Sequence, residues 1–150
     1  MQSIFNPADL QDLIERIQRL SPDSPAQWGK MTVAQMLVHA QQPLRVATGE
    51  LKLKRGLIGI LFGGMARRKF TGTSTPFGQN LPTDPNFLVK DQPDFEAAQK
   101  GLIALLQQVG QAGPAGLTKE AHPFFGKMTE NEWDTLLCKH TDHHLRQFGC

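Results

Sequence analysis

The sequence predicts an all-α fold, a four-helix bundle with a long, basic, partly irregular insert between its second and third helices. Two observations carry this reading. Four segments repeat apolar residues at helical spacing, and each opens on a residue able to cap free backbone amides. Their connections are long and rich in turn formers, as in a bundle with an elaborated crossover. At 150 residues the chain has the length of a single domain, spanning 1–150.

Asn6 followed by Pro7 opens the first helix, since asparagine caps amides and proline suits the first helical position. Leu10, Leu13, Ile14, Ile17 and Leu20 form its apolar stripe, and Ser21-Pro22 ends it. Thr32 caps the second helix, whose buried face is Val33, Met36, Leu37, Ala40, Leu44 and Ala47. That helix is expected to bend at Pro43 and stop at Gly49. The run TGTSTPFGQNLPTDPNF is read as an ordered loop or a short hairpin. Asp94 caps the third helix, carrying Phe95, Ala98, Leu102, Leu105, Leu106 and Val109, with Gly101 weakening its middle. Thr129 and Glu132 form a capping box for the fourth, which runs through Trp133, Leu136 and Leu137 to Phe148.

Composition excludes several classes of function. Sixteen Lys and Arg against 14 Asp and Glu give a formal charge of +2, too balanced for a protein devoted to neutralising a phosphate backbone, so no nucleic-acid partner is expected. A mean hydropathy of -0.34 argues against an integral membrane protein. Cys138 and Cys150, if joined by helix, stand roughly 18 Å apart and cannot pair. With no basic and apolar leader at the N-terminus, the cytoplasm is the expected compartment.

The histidines carry the chemical signal. Setting Trp133 at zero on a wheel of about 100° per residue, His140 falls near 340° and His144 near 20°, both mid-stripe on the apolar face. Two imidazoles one turn apart can share a metal ion as neutral ligands, or they can be core histidines satisfied by backbone and side-chain partners. His39, at the edge of the second helix's stripe, could face a cleft and complete a facial set with open positions. Asp142 and Cys138 fall away from the stripe, so neither is assigned to the site.

The run HPFFGKMTENEWDTLLCKHTDHHLRQF, with the earlier WGKMTVAQMLVHA, resembles the DinB/YfiT-like superfamily of metalloenzymes, in a branch catalogued mainly as a domain of unknown function. The likeness covers essentially the whole chain. It implies a four-helix bundle with a divalent metal, zinc or nickel, held by His39, His140 and His144. His144, Arg146 and Gln147 resemble the superfamily's His-Arg-Gly-Gln ending, from which this chain departs by placing Leu145 before the arginine. His143 is an extra histidine off the centre of the stripe. The chemistry implied is that of a metal-dependent transferase or hydrolase acting on a small molecule, with a low-molecular-weight thiol such as bacillithiol, mycothiol or glutathione as co-substrate, in a protein that is often a homodimer. The competing function is a non-enzymatic, stress-associated protein that holds a metal or small ligand in the same cavity.

Three features stay open at this level. His122, ahead of Pro123-Phe124-Phe125-Gly126, is either a catalytic proton-transfer group or a loop residue held by a backbone hydrogen bond. Trp28 and Trp133 are expected as core anchors and Cys150 as a mobile end. No carboxylate lies between Glu50 and Asp84, while Lys52, Lys54, Arg55, Arg67, Arg68 and Lys69 flank GLIGILFGGMA. This run is too short to span a bilayer. The insert is read chiefly as a packed helix with solvated cations. Its two other readings are a lid that attracts an anionic substrate and, as the weakest, a membrane-surface helix.

Overall fold

The computed structural model describes residues 2–72 and 75–150, and among these it is all-helical. Five helices appear in order, α1 (Pro7–Gln18), α2 (Val33–Ala47), α3 (Leu57–Thr71), α4 (Phe95–Ala112) and α5 (Glu130–Gln147), with short 3-10 turns at Pro85–Phe87 and Pro114–Gly116. Four of the helices are those expected from apolar spacing, and each begins where its cap lies. The Asn6 side chain accepts from the Ala8 and Asp9 amides, Asp94 accepts from Ala97, and Thr32 with Gln35 and Thr129 with Glu132 form reciprocal capping boxes. Such caps each contribute about 1 kcal/mol.

The core is shared by α1, α2, α4 and α5. Leu13, Ile17, Met36, Leu37, Leu44, Leu102, Leu106, Leu137 and Leu145 are almost wholly buried, and α2 packs most extensively on α4. Each side chain of this kind contributes roughly 1.5–3 kcal/mol on burial. Gly101, which weakens α4 in isolation, has a packing reason. A Cβ there would stand 3.1 Å from the Gln41 amide, which donates to the carbonyls of Leu37 and Ala98 and so bridges α2 to α4.

Several expectations change. The hairpin is absent among the described residues, where the only bridge joins His122 to Gly126; Thr73 and Ser74 of that run lie outside them. With four prolines between Pro76 and Pro93, the segment has few free N–H groups for a ladder. Trp133 is a core anchor at 1% exposure, but Trp28 is only partly buried and lies against the His143 ring. Cys150 is not a loose end, because its amide donates to Leu145 and its carbonyl accepts from Arg16. Helix α1 also stops at Gln18, two residues before Leu20, which remains buried beyond it.

Helix α3 packs chiefly on α5 and on the loop ahead of it. Gly59 and Gly63, one turn apart, let the Phe124 backbone approach, for a Cβ on Gly63 would fall 1.9 Å from the Phe124 carbonyl oxygen. Arg67 pairs with Glu132 at 3.2 Å, and Lys139 donates to the Phe70 carbonyl at 2.8 Å. A paired substitution tests this seam. Gly63→Ala is expected to cost at least about 1–3 kcal/mol through backbone overlap. Gly64→Ala meets nothing within 4 Å and should instead stabilise by roughly 0.5–1 kcal/mol through helix propensity. Urea unfolding of the two variants reads the difference, and equal effects would contradict the packing.

Candidate metal centre

Helix α2 carries His39 toward α5, and α5 carries His140 and His144 one turn apart on the facing side. The ring centroids stand 5.2 Å (His39 to His140), 4.7 Å (His39 to His144) and 4.6 Å (His140 to His144) apart. One nitrogen from each lies within 4.8 Å of the others. A point within about 2.8 Å of all three therefore exists, and closing to a zinc–imidazole bond of about 2.0–2.1 Å asks each ring to shift by less than about 1 Å. The donor set fits a borderline-soft divalent ion.

Second partners aim two of the rings. His39 Nδ1 donates to the Phe87 carbonyl at 3.0 Å. His144 Nδ1 donates to Gln147 Oε1 at 2.8 Å, while Gln147 Nε2 donates to the Trp28 carbonyl at 2.8 Å and fixes which end of the amide faces the imidazole. With Nδ1 protonated on both rings, Nε2 keeps the lone pair that a metal would take. His39 and His144 are buried, and His140 is the partly exposed member.

Burial holds these imidazoles neutral. It lowers the pKa of His39 and lowers His140 well below the ordinary histidine value, with the other three histidines adding to the effect. His144 falls to about 3, through burial first and then the His39 charge. Neutral nitrogens are the form that binds metal.

The other histidines lie apart. His143 is buried against Trp28 and Phe77, with its ring 5.1 Å from His144, and is not in the nitrogen cluster. The His122 ring packs on Phe125 and Trp133, and Trp133 precedes His140 by about 10 Å along α5. Its Nδ1 accepts from the amides of Phe124 and Phe125 at 3.0 and 3.1 Å. Burial pushes its pKa down to about 4. His122→Ala is thus expected to cost about 2–4 kcal/mol by orphaning two amides, with metal content unchanged. Unfolding and metal assays on one preparation test this, and loss of activity without loss of stability would support the proton-transfer role.

Asp142 spends its charge on Arg16 and Arg146, each at 2.9 Å. Burial, followed by neighbouring carboxylates, pushes the Cys138 thiol up to about 12, so it is no nucleophile at neutral pH. Phe87 and Phe77 went unnoticed in the sequence, and Trp28 was expected only as a core anchor. Phe87 and Trp28 act through backbone carbonyls, which carry no residue signature, and Phe77 sits in a turn-rich loop without period.

Three neutral imidazoles converging from two helices of an all-helical domain mark a protein built to present a candidate divalent-metal site. The chain matches, over residues 4–149, the family described as Protein of unknown function (DUF1569), and it belongs to that family. No curated protein and no solved structure matches it.

Proposed function

We propose that the protein is a metal-dependent enzyme of the DinB/YfiT-like kind, with α1, α2, α4 and α5 as its four-helix bundle and α3 within the insert. The observation that carries this reading is the convergence of His39, His140 and His144 within 4.8 Å. These three would hold zinc or nickel, and such an ion supplies Lewis acidity toward a water or a low-molecular-weight thiol at neutral pH.

The chain's own residues set the conditions. The Phe87 carbonyl and Gln147 orient two ligands, and burial keeps all three unprotonated. The partly exposed His140 edge is where a small electrophilic substrate and its thiol would approach. Among the described residues no carboxylate joins the cluster, so a proton given up there would pass to solvent. The reducing cytoplasm suits a thiol co-substrate.

Elemental analysis of protein purified without a metal-affinity tag tests the site. Metal-dependent conjugation of an electrophile to glutathione, bacillithiol or mycothiol, or hydrolysis of the electrophile by water, tests the activity. A stoichiometric divalent ion with turnover supports the enzyme. Saturable ligand binding without turnover supports the non-enzymatic binding protein. Absence of any bound ion in metal-supplemented protein would remove both.

A further inference from the structure

The outward face of α3 is the most exposed apolar surface among the described residues. Six of the eight large exposed hydrophobic side chains lie on this helix, from Leu57 at 78% and Leu61 at 74% to Phe62 at 53%. On a wheel of about 100° per residue, Leu57, Leu61, Met65 and Arg68 fall within about 80° of one another, opposite Gly59, Gly63 and Phe70. The inner side is held by the Phe124 backbone, the Arg67–Glu132 pair and the Lys139–Phe70 bond. A helix fastened on one side and apolar on the other offers a preformed docking surface.

Charge says what it suits. Lys52, Lys54 and Arg55 precede α3, and Arg68 and Lys69 lie in its last turn, with no carboxylate from Leu51 through Thr83. Lys52 pairs with Glu120, but Lys54, Arg55, Arg68 and Lys69 pair with no carboxylate among the described residues. An apolar stretch ending in cations on both sides matches a bilayer interface, where side chains such as Leu61 enter the acyl boundary and lysine and arginine reach anionic headgroups. A second copy fits poorly. Laying α3 along its twin, parallel or antiparallel, sets cations against cations at both ends.

The geometry points to α3 as an in-plane anchor that docks the protein on an anionic phospholipid surface. No helix among the described residues is long and apolar enough to cross a membrane, so the contact is peripheral. It stands independently of the histidine site, and it reverses the ranking in which sequence alone left the membrane last, because only the structure shows which α3 face is free.

The test is sedimentation of the full chain with vesicles of equimolar phosphatidylcholine and phosphatidylglycerol, against phosphatidylcholine alone. Binding is expected to the first, to weaken as salt rises from about 0.05 to 0.5 M, and to be near background for the second. Lys54→Gln, Arg68→Gln and Lys69→Gln together should lower the partition coefficient on the order of 100-fold, at about fivefold per cation. Leu61→Asp with Met65→Asp should abolish binding, and Lys100→Gln, on α4, should leave it intact. All these side chains are exposed, so unchanged melting curves and metal content will show that the variants fold. The proposal is overturned if wild-type protein stays in the supernatant, or if charge removal leaves binding unchanged. It is also overturned if sedimentation velocity finds a dimer that Leu61→Asp dissolves while no vesicle binding occurs.

Discussion

Replacing His140 with alanine is expected to strip the protein of divalent metal, lowering affinity by more than about 100-fold, the upper range for losing an outer partner of a ligand. His140 contributes one of only three nitrogens in the cluster, and its loss leaves two ligands, too few to compete with buffer or water. Gln147→Ala should fall between, at about 10–100-fold, because the ligand remains but nothing holds its Nδ1 proton or links it to Trp28. His143→Ala should change affinity little, since that ring packs on Trp28 and Phe77 outside the cluster. Competition with a chromophoric chelator would rank the three variants. A larger loss for His143→Ala than for His140→Ala would mean that the wrong imidazoles have been assigned.

Acid is expected to remove stability first, and metal only as the protein unfolds. An unfolded histidine titrates near about 6.5, whereas in the fold burial holds His122 at about 4 and His144 at about 3. Between those values the unfolded chain binds protons that the native chain refuses. Stability is therefore complete above about pH 7 and falls as pH drops from about 6.5 toward 4. His122 alone accounts for about 3 kcal/mol of that loss. Metal should stay while the fold holds and leave with unfolding, because the native ligand nitrogens refuse protons, down to about pH 3 at His144. Melting temperature is expected to decline from pH 7.5 to 4.5, while metal content holds in protein that is still folded. His122→Ala should flatten the stability profile. Metal lost near pH 6 from protein that is still folded would mean that the ligand imidazoles are not shielded by burial.

Much of the bundle was legible because local rules suffice to place it. Asn6-Pro7, Thr32 with Gln35, Asp94, and Thr129 with Glu132 each satisfy amides within one turn, so helix starts are written in adjacent residues. The spacing of Leu136, Leu137, His140 and His144 likewise sets one face of one helix, whatever packs against it. This is why the sequence alone determined four helices, their buried faces and the pairing of His140 with His144.

What it could not determine were contacts between residues far apart in the chain, since no local period encodes them. Whether His39 meets the α5 pair depends on the rotation of α2 against α5. The tautomers of His39 and His144 depend on the Phe87 and Trp28 carbonyls, 48 and 119 residues from the side chains they bind. The face of α3 was ambiguous because apolar residues surround most of that helix. Only the approach of the Phe124 backbone to Gly59 and Gly63 selects the buried side and leaves Leu57, Leu61 and Met65 outward. The tertiary structure decided these points because each depends on relative placement, which burial of the whole core sets and a single segment does not.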